Sequence, residues 1–88
     1  MPKHDWRIDL VENLRGEKLQ WKKYRRYSEN WDHDHCGACG AKFAEIPGYK
    51  ILNEGYATTD AYPMGAEYEW VCKTCFDDLH DELEWTAI

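Results

Sequence analysis

Long apolar runs are missing from this chain of 88 residues. None approaches the roughly 20 residues that a bilayer-spanning helix needs. The opening Met1-Pro2-Lys3-His4-Asp5 also has no apolar stretch of the kind a secretory leader carries. A cytoplasmic protein with no membrane partner is therefore expected. Internal repeats, low-complexity tracts and linkers are equally missing, so a single domain over residues 1–88 is expected. Basic residues are scarce in most of the chain. Residues 29–88 hold three Lys/Arg against thirteen Asp/Glu, whereas residues 1–28 hold eight against four. The net charge of −6 weighs against generic binding to nucleic acid or anionic membrane. No Ser/His/Asp constellation is evident, and an enzyme is not expected.

What is present is aromatic and apolar. Five Trp, six Tyr and two Phe, within a hydrophobic fraction of 43%, are too much apolar matter for a disordered chain. Yet a chain this short rarely stabilises itself by a single core alone, so a staple is expected.

The cysteines supply it. All four fall in two pairs, Cys36-Gly37-Ala38-Cys39 and Cys72-Lys73-Thr74-Cys75, separated by 32 residues. A two-residue gap lets both sulfurs of a pair turn toward one ion at about 2.3 Å, and two pairs complete a tetrahedral thiolate shell, so one structural Zn2+ is expected on Cys36, Cys39, Cys72 and Cys75. Two disulfides are disfavoured in a cytosolic chain, and a redox motif would need one such pair in a βαβ context rather than two. A closed shell leaves no position for an activated water, which points to structure rather than catalysis. Loading converts four thiols to thiolates around one divalent ion and takes the net charge to about −8. Lys42 and Lys73, near the sulfurs in sequence, are the cations expected to screen it. His33 and His35, just before Cys36, are the alternative ligands, or with Asp32 and Asp34 the beginnings of a second site.

Gly37 and Gly40 bracket a turn in which backbone N–H groups can face sulfur, as in a zinc knuckle. Residues 67–72 alternate like a strand. Thr74 with Asp77 three residues on has the pattern of a capping box, so Cys75 is expected at a helix start, where the dipole favours thiolate. Phe76, Leu79, His80 and Leu83 then recur on one helical face. His80 is expected to pack there rather than bind metal. Between the pairs, Pro47-Gly48 predicts a turn, residues 50–52 and 54–59 short strands, and Tyr62-Pro63-Met64-Gly65 the turn of a hairpin. In the first 30 residues, Ile8, Val11 and Leu14 favour a short helix, with a break at Arg15-Gly16-Glu17 and a strand over 18–25. The expected fold is a small α+β, treble-clef-like domain of zinc knuckle, β-hairpin and C-terminal amphipathic helix over 31–88, with a helix/strand extension over 1–30 packed on it.

The runs WDHDHCGACGAKF, EGYAT and EWVCKTCFDD resemble an uncharacterised family of small bacterial zinc-binding proteins of treble-clef or zinc-ribbon type, over residues 24–85. The resemblance implies the four cysteines as ligands and no activity. That family carries bulky residues in and just after the first pair, where this chain has Gly37, Ala38 and Gly40.

Two surfaces compete for a partner. Asp78, Asp81 and Glu82 on the last helix, with Trp85 beside them and Trp31, Trp70 and Tyr68 as further anchors, suit a protein partner of basic character, as in an immunity, inhibitor or adaptor protein. The stretch 15–27, with Lys18, Trp21, Lys22, Lys23, Tyr24, Arg25, Arg26 and Tyr27, suits nucleic acid or a ribosomal surface, with aromatics to stack on bases and cations for phosphates. The first reading is preferred. Arg25 and Arg26 are also expected to offset Glu82 and Glu84, which oppose the dipole at the helix end.

Overall fold

Residues 5–26 and 28–88 are described by the structure, a computed structural model. The opening residues 1–4, read above for a leader, and Tyr27 of the basic stretch lie outside them.

Asp5 begins the first element by accepting the Arg7 backbone N–H at 3.0 Å, which caps helix α1 (Trp6–Leu10). A 3₁₀ turn follows at Glu12–Leu14. Ile8, Val11 and Leu14 are all buried, as the helical reading of this segment expects. After the break at Gly16, where φ is +78°, strand β1 runs over Lys18–Lys23 with Leu19 fully buried. It is an inner strand. β5 (Glu54–Thr58) pairs with it antiparallel from Leu19↔Thr58 to Lys23↔Glu54, and β7 (Thr86–Ala87) lies parallel on its other side. With β6 (Trp70–Val71) antiparallel to β5, the larger sheet has the order β6-β5-β1-β7.

A smaller sheet has the order β2-β3-β4, from β2 (His33–His35), β3 (Lys42–Ala44) and β4 (Ile51–Leu52). β2 and β3 are antiparallel, while β4 returns parallel to β3. The two sheets meet where Cys36 bridges Trp70 and Phe43 packs on the Trp70 ring, centroids 5.4 Å apart. Gly55 is required at this junction, because a Cβ there would stand 2.5 Å from Phe43 Cε1.

The expected hairpin is present as β5 and β6, but its second strand is shorter than 67–72. Glu67 has φ +58°, and Thr58 Oγ1 accepts the N–H groups of Tyr68 and Glu69 at 3.0 and 3.2 Å. That side-chain bonding supplements two backbone bonds, from the Glu67 N–H to the Thr58 carbonyl at 2.9 Å and from the Thr58 N–H to the Glu69 carbonyl at 3.1 Å, and regular strand pairing begins only at Trp70.

Helix α2 (Lys73–Leu83) buries Phe76, Leu79 and Leu83 against the larger sheet, and Phe76 stacks on Tyr56 with centroids 3.9 Å apart. Its N-cap is Cys72, not Thr74: the Cys72 sulfur accepts the Cys75 N–H at 3.5 Å, so a cysteine takes the capping role that the Thr74/Asp77 pattern suggested. Its C-terminal end is offset by Arg15, which donates to the Glu82 carbonyl at 2.7 Å and lies 3.9 Å from Glu84, rather than by Arg25 or Arg26. The chain leaves α2 through Glu84 in the left-handed region and buries Trp85, whose indole N–H reaches the Leu14 carbonyl at 3.0 Å. The architecture is small α+β.

Candidate metal centre

The two cysteine pairs arrive from different halves of the molecule. Cys36 and Cys39 lie in the tight turn joining β2 to β3. The Cys36 N–H reaches the Ala41 carbonyl at 2.7 Å, the Gly40 N–H reaches the Cys36 carbonyl at 2.9 Å, and Gly40 has φ +81°. Here glycine is needed for the left-handed backbone. Cys72 and Cys75 lie between β6 and the first turn of α2. The Gly37 N–H donates to the Trp70 carbonyl at 2.9 Å and the Cys72 N–H to the Cys36 sulfur at 3.3 Å, stitching the two segments face to face.

All four sulfurs lie within 4.8 Å of one another, and Cys39 and Cys72 Sγ are 3.7 Å apart. A tetrahedral ion with bonds of about 2.3 Å holds its ligands about 3.8 Å apart, whereas a disulfide needs about 2.0 Å. The cluster therefore has the dimensions of a metal site, and its cysteines are free. Cys36, Cys72 and Cys75 are buried and Cys39 is exposed.

Electrostatics also favour a cation. The Cys72 thiol, bonded to the Cys36 sulfur, pulls the Cys36 pKa far below the ordinary thiol range, with backbone N–H groups adding to the effect. That same bond and burial push Cys72 up. Burial, and then the negative charge on Cys36, push Cys75 up. Cys36 thus takes negative charge readily while Cys72 and Cys75 resist it, and a divalent ion at the cluster would remove that resistance.

The cation the protein itself brings is Arg7. Its Nη1 lies 3.5 Å from Cys75 Sγ and 3.1 Å from Asp78, while Asp5 holds its other side at 2.6 Å. Lys73, one of the two lysines expected to screen the sulfurs, pairs with Asp77 at 2.6 Å, and Lys42 stands exposed on β3. Arg7 was not legible as a site residue. The sulfur charge calls for a cation, but nothing local marks one 68 residues away. The same N-terminal segment explains the small residues of the first pair. A Cβ at Gly37 would come within 3.3 Å of Val11 Cγ1, and Ala38 is fully buried.

His33 and His35 do not join. Their rings meet edge to face at 5.1 Å, His33 Nδ1 is 2.9 Å from Asp32, and Asp34 instead accepts from Tyr24 Oη at 3.0 Å and Trp31 Nε1 at 3.1 Å. Among the described residues the four cysteines are the one cluster of three or more metal-binding groups. His80 packs as expected, stacked on Phe76 at 5.3 Å.

The expected partner surfaces are altered. On α2, Asp81 is exposed at 97% and Glu82 is exposed, but Asp78 is engaged by Arg7, and Trp85, placed beside them as an anchor, is only 4% exposed. Trp70 is also buried, leaving Trp31 and Tyr68 partly exposed with rings 6.0 Å apart. The basic stretch is divided by the pleat of β1, which puts Trp21 and Lys23 on one face and Lys18 and Lys22 on the other. Lys22 pairs with Glu67 at 2.9 Å and Arg26 with Glu45 at 3.6 Å; Tyr24 is buried against Phe43 and Trp70; Lys18 and Arg25 are exposed. No helix of the described residues is long and apolar enough to cross a membrane. Comparison with protein-family models, curated proteins and solved structures finds no match.

Proposed function

We propose that this is a cytoplasmic, non-enzymatic zinc protein whose single Zn2+ orders a protein-interaction module. The observation that carries the reading is the closed four-sulfur cluster, with one cysteine pair from each half of the fold and three of the four residues buried. Such a shell has no open position for substrate or water, and its soft tetrahedral donor set suits zinc, with iron as the competing ion. When bound, the ion supplies a fixed charge and a cross-link. The chain's own residues do the remainder: Cys72 caps α2, and Arg7 holds the charge at Cys75. The order of knuckle, hairpin and ligand-bearing helix supports a treble-clef arrangement and kinship with the small bacterial zinc proteins that the cysteine-flanking motifs resemble.

The partner is a protein of basic character met by the outer face of α2, through Asp81 and Glu82, with Asp78 at the margin. The nucleic-acid reading loses support because three members of its stretch, Lys22, Tyr24 and Arg26, are engaged internally. The test is metal analysis of purified protein followed by affinity recovery from the native host with and without nuclease. One zinc per chain and a stoichiometric protein that survives nuclease, and is lost on combining Asp81→Lys with Glu82→Lys, are expected. Iron in place of zinc, nuclease-sensitive recovery, or recovery indifferent to the charge reversal would overturn the corresponding part.

A further inference from the structure

The four sulfurs are not equivalent. Three belong to buried residues and each accepts an N–H: Cys36 from the Cys72 backbone at 3.3 Å, Cys72 from the Cys75 backbone at 3.5 Å, and Cys75 from Arg7 Nη1 at 3.5 Å. Cys39 is exposed, and among the described residues no N–H is directed at its sulfur, whose contact is the Cys72 sulfur. A hydrogen bond to a thiolate draws charge off the sulfur and makes it a weaker nucleophile. Cys39 is therefore the most reactive of the four as well as the most accessible.

Access also gives it a partner. A groove of about 960 Å³ opens beside the cluster, and its wall includes Cys39 and Cys72 but neither Cys36 nor Cys75. The Cys39 and Cys72 sulfurs are 3.7 Å apart, so a bond of about 2.0 Å requires closing less than half of that gap. Much of the remaining wall is apolar, from Trp21, Ala41, Ile51 and Leu52. A small neutral oxidant entering there is not repelled by the negative sulfurs of a loaded site.

We propose that Cys39 and Cys72 form a peroxide-sensitive switch, in which Cys39 is oxidised first and Cys72 completes a disulfide. The proposal rests on the one-zinc reading above and adds regulation to it. The Cys39 sulfur attacks one oxygen of hydrogen peroxide; the O–O bond breaks, a sulfenic acid forms on Cys39, and the second oxygen leaves as hydroxide that solvent protonates to water. The Cys72 sulfur then attacks the Cys39 sulfur, the S–O bond breaks, and a second water leaves by the same route. Two thiolates, one peroxide and two protons thus give one disulfide and two waters, the sulfurs losing the two electrons that the peroxide gains. Cys36 and Cys75 are left as the remaining donors, two where a structural zinc site needs four. A reversible bond of this kind is the form in which disulfides occur in reducing compartments. It joins the β2–β3 turn to the N-cap of α2, so the halves stay tied when the ion is lost. What changes is the start of α2, because a disulfide sulfur accepts the Cys75 N–H less strongly than a thiolate does. Oxidation thereby reaches the helix that carries Asp81 and Glu82.

The experiment exposes the zinc-loaded full chain, its metal content measured beforehand, to hydrogen peroxide. Released zinc is followed with a chromophoric chelator, and cross-links are located by non-reducing peptide mass spectrometry. Tryptic cleavage after Lys42, Lys50 and Lys73 puts the first pair, Cys72 and Cys75 in separate peptides, and fragmentation distinguishes Cys39 from Cys36. One zinc released per Cys39–Cys72 disulfide, recovery on adding thiol and zinc, and reduced hydrogen-exchange protection at the first turn of α2 are expected. Cys39→His keeps a zinc donor without an oxidisable sulfur at the exposed corner, and should slow the release at least about tenfold. Should that variant fail to hold zinc, dimedone trapping of the sulfenic acid in the unaltered chain decides: a label on Cys39 supports the switch, and a label on another cysteine overturns it. A first disulfide between any other pair, zinc release without a disulfide, or undiminished sensitivity in zinc-loaded Cys39→His also overturns it. A chain that purifies without zinc instead overturns the reading beneath the proposal, before any peroxide is added.

Discussion

The two sheets differ in what holds them. The larger has a six-residue and a five-residue strand in register, and it buries Leu19, Ala57, Thr58, Trp70 and Val71. The smaller has strands of three, three and two residues, and of these residues only Phe43 and Ala44 are buried. A sheet with one large buried side chain cannot offset the entropy of ordering its own backbone. It persists because its turn carries two of the four sulfurs and its Phe43 reaches across to Trp70. The lesson is that the apolar core and the cysteine cluster are not redundant, since the larger sheet is held mainly by the core and the smaller one leans on the cluster and on Phe43.

Removing the metal gives the largest effect expected. Structural zinc contributes on the order of 10 kcal/mol to small domains. A strong chelator, or Cys36→Ser, should therefore abolish hydrogen-exchange protection over β2, β3 and β4. The β1–β5 ladder should exchange later or only in part. Simultaneous loss in both sheets would break the distinction and make the molecule one cooperative unit.

The junction between the sheets should respond next. Gly55→Ala drives a methyl group into the Phe43 ring and to within 3.2 Å of the Val71 carbonyl, both hard to displace. A destabilisation of about 3 kcal/mol is expected from such overpacking, read from denaturant midpoints of the zinc-loaded protein. Phe43→Leu in the same chain should recover part of it, and a double-mutant cycle without coupling would show that the glycine is not there for the ring.

How much of this was legible follows from which forces are local. The meeting of the four cysteines was, because the C-x2-C spacing is itself a geometry suited to chelation. The face of α2 was, because Phe76, Leu79 and Leu83 repeat with the helix period. The helix start was misplaced by two residues, because Thr74 carries the usual capping chemistry, while the sulfur of Cys72 performs the same task. The neighbours of β1 were not legible. Its partners lie more than 30 residues away, and alternation says which face is apolar, not which strand sits beside it. Burial of Trp85 and exposure of Trp31 were equally hidden, because a tryptophan serves a core or a surface with the same residue type.

Arg7 sharpens the comparison at its smallest scale. It sits on α1, and its guanidinium binds Asp5, Cys75 and Asp78, all outside the strands of the smaller sheet. If its role is to offset sulfur charge, Arg7→Ala should weaken zinc affinity about tenfold, in the range seen when a hydrogen-bond partner of a metal ligand is removed. Competition with a chromophoric chelator measures this directly. Arg7→Lys keeps the charge without the planar fork that spans Asp5, Asp78 and the sulfur, and should retain part of the affinity. Under saturating zinc, both variants should keep the exchange protection of the β1–β5 ladder. Unchanged zinc affinity in Arg7→Ala would mean that α1 is held by Ile8 and Val11 alone, and that the sulfur charge is balanced by the metal and solvent without help from the N-terminal segment.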